Sequence, residues 1–362
     1  MRKQQLEYKS DYMSRLQDEE LERLEERLTA LYANASNEVK AEFLDFMAKY
    51  KADIDEMTQQ LADEEITADE YANWVRRHVI QTKDYRKTVD TLTNMLVNTD
   101  VLAMALVNNE LPLVIAQSYD FVTSLGFKAA DEAGITVGTF QVYNAESVQK
   151  IIKDNPELLK EVYKEKDYSW NRDRINSEIT HSLVRGDSIQ QAATRLQNVS
   201  NMDKNAAIRN ARTAMTAAEN IGRTEAAQDI KEQGVPIDEV WSATMDDKTR
   251  DTHLLMDGTT RDENGEFGAG IIDNPLRFPG DPQGDPEEIY NCRCRLSIVL
   301  KGIDHSQDGD LYEKFMKENY PEDYAKLRAN EGEINKQEQR YDAKQRQADL
   351  RADPWKVKKK GG

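Results

Sequence analysis

The chain has 362 residues, 67 acidic against 49 basic, and a formal charge of −18. That balance excludes a protein whose whole surface grips nucleic acid, so any DNA contact has to be local. A charged fraction of 32% against 38% hydrophobic suits long, half-exposed helices, and the length allows two or three domains. Two cysteines one residue apart cannot staple a framework, which points to a reducing compartment. The N-terminus is charged where a signal peptide needs an apolar core, and no run reaches the roughly 18 apolar residues of a membrane span. The expectation is a soluble, intracellular chain that makes no membrane contact.

Leu21, Leu24, Leu28 and Leu31 fall at helical steps and predict a first helix with one narrow apolar stripe. Ser36 is the expected N-cap of a second helix, whose Val39, Phe43, Phe46, Tyr50, Ile54, Met57 and Leu61 form a near-heptad seam. The two should pair as an antiparallel hairpin or pack against another chain. Thr67 and Glu70 form a capping box for a third helix over about 68 to 82. A longer helix follows over about Val89 to Asn108, and Pro112 and Gly126 predict the start and stop of a fifth. Thr136 to Tyr143 alternates as a short strand would; a helix capped at Ser147 and a turn at Asp154-Asn155-Pro156 come next. Through residue 130 there is no catalytic spacing. His78 and His181 sit on amphipathic helices with no second ligand near in sequence, and His305 lies in a polar loop.

Beyond about residue 154, Ile175, Ile179 and Leu183 mark a helix stopped at Gly186, and Ser188 caps the next. Asp203 is the predicted start of a long alanine-rich helix ended by Gly234, with enough small residues to let another element approach closely. Arg223 and Glu225 on it admit two readings. They belong to a surface of ion pairs, or they are buried to brace the loop beyond Asp246. From Val240 the helical pattern gives way: strand-like EVWSAT and RLSIVL bound a loop dense in Pro, Gly, Asp and Asn from Asp257 to Asp285.

The final segment reads as polar helix with few core positions. From Lys336 to Lys360 it carries nine Lys or Arg against four Asp or Glu. Lys356, Lys358, Lys359 and Lys360 are candidate contacts for packaged DNA phosphates or an acidic partner; a solvated tail is the alternative.

Cys292 and Cys294 stand at i and i+2, so on a strand they face the same way, and His253 comes from the helix-like turn TRDTHLLM. Two thiolates and an imidazole supply three ligands of a tetrahedral zinc site, with Asp246, Asp247 or Asp257 as a fourth. The other reading makes both cysteines small core groups and His253 a partner of a carbonyl or carboxylate. A nucleophile set of His, Asp and Cys needs a helix N-terminus or a nucleophile turn to expose the thiolate, and neither signature is present. There is no phosphate loop either. The residues themselves point to binding rather than catalysis.

Arg223-Thr224-Glu225, the run from Trp241 to His253, Met256-Asp257-Gly258, Phe278-Pro279-Gly280-Asp281-Pro282 and Asn291-Cys292-Arg293-Cys294-Arg295 occur in this order over roughly Asp167 to Lys301. The combination resembles the Mu F-like minor head proteins of tailed double-stranded DNA phages, also called phage head morphogenesis proteins. The resemblance implies a non-enzymatic virion component built into the procapsid near the portal vertex. Its implied partners are the portal protein, other head or scaffold proteins and packaged double-stranded DNA; the implied location is the capsid interior, after assembly in the host cytoplasm. An internal DNA-binding head protein is the competing class, and a toxin-like ADP-ribosyltransferase or hydrolase a more distant one.

The expected fold is α+β: a mainly helical N-terminal region over 1–153, a central helical module with a small β-sheet and long ordered loop over 154–302, and a polar helical tail with a basic end over 303–362. Within the module, Trp241 and Phe278 are expected core anchors, with Pro279 beside the latter. Asp257-Gly258 is the expected turn, and Arg223 and Glu225 the expected braces.

Overall fold

The computed structural model describes residues 2–132, 134–138, 145–160, 164–300 and 334–352. It is mainly helical with one small antiparallel sheet, an α+β arrangement. The helices are α1 (Arg2–Ala48), α2 (Lys51–Ala62), α3 (Ala68–Val75), α4 (Lys83–Glu132), α5 (Ala145–Asp154), α6 (Lys164–Val184) and α7 (Ile189–Glu232). Strand β1 (Ile237–Ser242), the short α8 (Asp251–Met256) and α9 (Pro286–Ile289), strand β2 (Arg295–Leu300) and α10 (Ile334–Ala352) complete the order. The chain forms two compact units from interleaved segments: Glu22–Asn108 with Lys160–Ala211, and Met1–Leu21 with Asn109–Leu159 and Arg212–Gly362.

The first of these units is a helical core. Val39, Phe43, Phe46 and Met47 of α1 pack with Tyr71 and Val75 of α3, Leu92 and Leu96 of α4, Ile175, Ile179 and Leu183 of α6, and Leu196 of α7. Local capping is legible here. The Thr67 side chain accepts from the Glu70 N–H and the Glu70 carboxylate accepts from the Thr67 N–H, closing the capping box of α3. Ser188 and Gln191 form the same reciprocal pair at the start of α7.

Four expected helix boundaries are absent. Ser36 is buried inside α1, because Leu28, Tyr32, Ala35, Val39 and Phe43 are all buried in one stripe with no Gly or Pro to break it. The first helix therefore runs on to Ala48, and the break falls at residues 49 and 50. Asp203 is likewise interior to α7, between buried Val199 and Ala207. Pro112 and Gly126 both lie within the continuous α4. Gly126 serves close packing instead of termination, since a Cβ there would stand 2.5 Å from Ile230 Cδ1. Residues 135–138 form no strand, residues 139–144 lie outside the described set, and α5 starts at Ala145, ahead of Ser147.

Contrary to the hydropathy expectation, residues Lys83–Ser124 of α4 are long and apolar enough to cross a membrane by length and composition. The same helix supplies core: Leu92 and Leu96 in the unit above, Tyr119 and Val122 in the second.

In the second unit, α7 packs closely on α4 through Gly222, where a Cβ would lie 2.4 Å from the Ile115 carbonyl oxygen. β1 pairs antiparallel with β2 in the register Ile237↔Leu300 to Ser242↔Arg295. Its other edge is covered by the chain after α8, with Gly258 N–H donating to the Trp241 carbonyl at 2.8 Å and Trp241 N–H to the Thr259 carbonyl at 2.9 Å. The polar α10 packs against α8. Over residues 343–352, Ala343, Gln347 and Leu350, at steps of four and three, are buried, so this part of the helix is attached. Lys356 to Lys360 lie outside the described residues.

Candidate metal centre

The long alanine-rich helix fixes the loop through polar side chains. Asn220 of α7 is fully buried; its amide donates to the Pro279 carbonyl at 2.9 Å and the Cys294 carbonyl at 3.1 Å, and its oxygen accepts from Leu296 N–H at 2.7 Å. One turn earlier, the Thr216 hydroxyl donates to the Cys292 carbonyl at 2.7 Å. Both cysteines are thus held by their backbone from one helix face, in the extended stretch just before β2. α8 brings His253 to them.

His253 Nδ1 lies 3.3 Å from Cys294 Sγ and 3.7 Å from Cys292 Sγ, and all three donor atoms fall within 4.8 Å of one another. Zinc bonded to sulfur at about 2.3 Å and nitrogen at about 2.0–2.1 Å with tetrahedral angles would set them about 3.6 Å apart. The three side chains are 1–2% exposed. Trp241 meets the imidazole edge-on, 5.1 Å between centroids, and Phe267 backs Trp241 at 5.5 Å.

The far side of the ring faces a carboxylate. His253 Nε2 stands 3.0 Å from Glu288 Oε2, an ion-pair distance with a bent hydrogen-bond geometry, and Thr252 Oγ1 donates to the same oxygen at 3.0 Å. This leaves Nδ1 as the nitrogen aimed at the sulfurs. Without metal, burial works against the imidazolium, but the Cys292 thiolate and Glu288 outweigh it and hold His253 up to about 9. A hydrogen bond from Cys294, with His253 beside it, lowers the Cys292 thiol, while burial and the neighbouring thiolate raise Cys294. The two sulfurs and the imidazole can hold a metal once their protons leave.

The aspartates named as a fourth ligand lie elsewhere. Asp246 is held by Arg293, at 2.8 Å from Nη2, and by Thr249 at 3.0 Å. Asp257 accepts from Ala243 N–H and from the Gln347 amide, each at 3.0 Å. Asp247 is exposed. Among the described residues the cluster is His253, Cys292 and Cys294. Asp246 and Asp257 each satisfy backbone, side-chain amide or arginine donors, which spacing along the chain does not reveal.

The brace also differs from expectation. Arg223 is buried and donates to the Leu296 carbonyl at 3.3 Å, but its carboxylate partner is Glu219, 2.7 Å away. Glu219 also receives Arg295 Nε at 2.9 Å. Glu225 is half-buried, and burial together with Asp229 raises its pKa. Trp241 and Phe278 are buried, Pro279 presents the carbonyl that Asn220 binds, and Gly258 has φ +75° at the turn after Asp257. Asn220, Thr216 and Glu288 escape a sequence reading because a four-residue PEEI helix and mid-helix Asn and Thr carry no motif of their own.

Residues 173–297 match the family model described as Phage Mu protein F like protein. The chain is also similar to the NAD(+)--arginine ADP-ribosyltransferase EFV of Enterococcus faecalis (strain ATCC 700802 / V583), 30% identical over 169 residues that make up 44% of this chain. The chain spans 34% of that relative's length. No solved structure matches. Over residues 173–297, the segment that supplies all three donor atoms and the helix that positions them, the chain is similar to the Phage Mu protein F like family.

Proposed function

We propose that the protein is a minor head component of a tailed double-stranded DNA phage or prophage, acting by protein binding during procapsid assembly near the portal. The family match over residues 173–297 carries this reading. Residues 1–153 are the proposed docking region for portal or head proteins, 154–302 the proposed Mu F-like module, and 303–362 the tail whose Lys356 to Lys360 meet DNA or an acidic partner. Co-expression with a portal protein from the same phage tests it. The expected result is co-purification with the portal ring; a chain that never associates with portal or procapsid ends the proposal. Deleting residues 352–362 then separates the tail's roles. Incorporation without salt-sensitive DNA retention assigns it to DNA, and failed incorporation assigns it to protein docking.

Within the module, the reading is of a structural zinc ion held by His253 Nδ1, Cys292 and Cys294. Burial of all three donors favours shape over turnover, because a catalytic metal needs a position open to substrate. Glu288 is the orienting carboxylate. Glu288→Gln should weaken zinc binding about 10–100-fold while the fold is kept, measured by competition with a chromogenic chelator. Unchanged affinity would remove Glu288 from the site.

The named activity of the Enterococcus protein supports a second reading, arginine ADP-ribosylation. The proposed function is non-enzymatic. Incubation with labelled NAD and an arginine-rich acceptor decides between them, and transfer lost on changing a residue of this chain would reverse the assignment.

A further inference from the structure

The helical unit built from Glu22–Asn108 and Lys160–Ala211 carries two exposed charge blocks of opposite sign. Five of the eight residues 63–70 are acidic, Asp63, Glu64, Glu65, Asp69 and Glu70, and none is basic. Residues 76–87 hold Arg76, Arg77, Lys83, Arg86 and Lys87 against one acid, Asp84. The five acidic and five basic side chains are exposed, because the apolar residues among them turn inward. Tyr71, Val75, Val79, Tyr85 and Val89 are all buried in the core of the unit. The acidic block leads into α3, and the basic block follows it through the π-helical turn Arg76–Ile80 and the start of α4.

Neither block is neutralised within the chain. Among the described residues, none of these acidic and basic side chains makes an ion pair. Asp84 is taken by Lys49 at 3.7 Å, and Asp90, the next acid along α4, by Arg172 at 3.1 Å. Arg76 donates to the Asn73 side-chain oxygen at 3.3 Å and Arg86 to the Gln81 carbonyl at 3.5 Å, both neutral acceptors. The α3 macrodipole favours acid before the helix and base after it, but that effect fades within one turn. It accounts for Asp69, Glu70, Arg76 and Arg77, and not for Glu64, Glu65, Lys83 and Lys87. A solvated helix surface commonly alternates its charges, whereas this one sorts them.

Between the blocks stands α3, 8 residues or about 12 Å long, so at 0.1 M salt, where the Debye length is about 10 Å, they are screened from each other within one chain. Between two chains they can meet directly. A nucleic acid would match the basic block and be repelled by the acidic one; a second copy of this chain matches both. We propose that this unit binds a second copy head to tail, residues 63–70 of one copy against residues 76–87 of the next. Each exposed ion pair contributes about 0–1 kcal/mol, so the contact is salt-labile and rests on several pairs acting together. The two faces differ, so association closes into a ring or grows as an open chain and does not stop at a two-fold dimer. This surface is independent of the His253 centre and of the proposed role in phage heads.

Light scattering and sedimentation of the full-length chain over a range of protein concentrations test the proposal, in about 0.01 M and 1 M sodium chloride, where the Debye length falls from about 30 Å to 3 Å. Oligomers beyond the dimer should form in dilute salt and revert to monomer in concentrated salt. Arg76→Glu with Arg77→Glu brings the basic block close to neutral and should keep the chain monomeric in both; Lys83→Glu with Lys87→Glu should do the same. Glu64→Lys with Glu65→Lys should act alike from the acidic side, each variant melting close to the wild type. Mixing the Arg76/Arg77 and Glu64/Glu65 variants in equal amounts should give heterodimers and nothing larger, since one intact face of each sign remains. A wild type that stays monomeric in dilute salt, or a mixture that does, would overturn the proposal, as would self-association that survives the reversals. A monomeric wild type that binds duplex DNA in dilute salt, with binding lost in the Arg76/Arg77 variant, would assign the basic block to nucleic acid and overturn it too.

Discussion

Cys292→Ser is expected to abolish bound zinc and to cause one of the two largest losses of stability in the molecule. Purified without chelator, the wild-type chain should carry zinc in stoichiometric amount, and the variant none, by elemental analysis. A ligand present at a thousand times its Kd stabilises the folded state by about 4.1 kcal/mol, and the variant forfeits that contribution. The long segment between β1 and β2 has little regular structure of its own, so a metal tying α8 to the approach of β2 replaces the core it lacks. A zinc-free wild type, with Cys292→Ser costing only what a small core substitution costs, would show that the two sulfurs are packing groups.

Glu219→Ala should be the other. Its carboxylate is 5% exposed and sits between Arg223, 2.7 Å away, and Arg295, 2.9 Å away. Removing the shared partner leaves both guanidinium groups in a dry setting, and breaking a buried pair in this way costs about 3–5 kcal/mol. Asp18, 3.4 Å from Arg295 but largely exposed, offers little compensation. Glu225→Gln provides the contrast. Burial already favours its neutral form, with Asp229, Asp154 and Glu232 nearby adding to the shift, so the variant should fold at least as well as the wild type. Chemical unfolding of the two variants measures the difference. Equal and small effects would mean that the arginines are solvated and the brace is absent.

Where a signal is local, the sequence carries it. Thr67 with Glu70, Ser188 with Gln191, Gly186 and the two strands can each be read from a few neighbouring residues, because caps and turns are satisfied within one turn of chain. Ser36, Asp203 and Pro112 carry equally good local signals and are overruled. Ser36 and Asp203 lie on buried helix faces and Pro112 follows buried Leu111, and packing outweighs a cap of about 1 kcal/mol. The three donors of the metal group were legible from residue type. The choice among their neighbours was not, since it turns on which of Asp246, Asp257 and Glu288 another donor has already claimed.

Arg223 shows the same limit. A surface of ion pairs and a buried brace were both open for it, and its buried pair with Glu219 goes with its bond to the Leu296 carbonyl of β2. α10 shows it from the opposite side, because its apolar content is too low to announce a contact made largely by amide and guanidinium groups.

That last contact bears on how the protein can be cut for experiment. Arg346 donates to the carbonyls of Asp247 and Thr249, Gln347 to that of Leu254, and Arg351 to that of Asp257. A fragment ending where the family match ends, at residue 297, would strip these acceptors of their donors directly behind the imidazole. Recombinant pieces meant to report metal content or portal affinity should therefore extend past Arg351, and a shorter piece that aggregates or loses zinc would reflect the cut rather than the native chain.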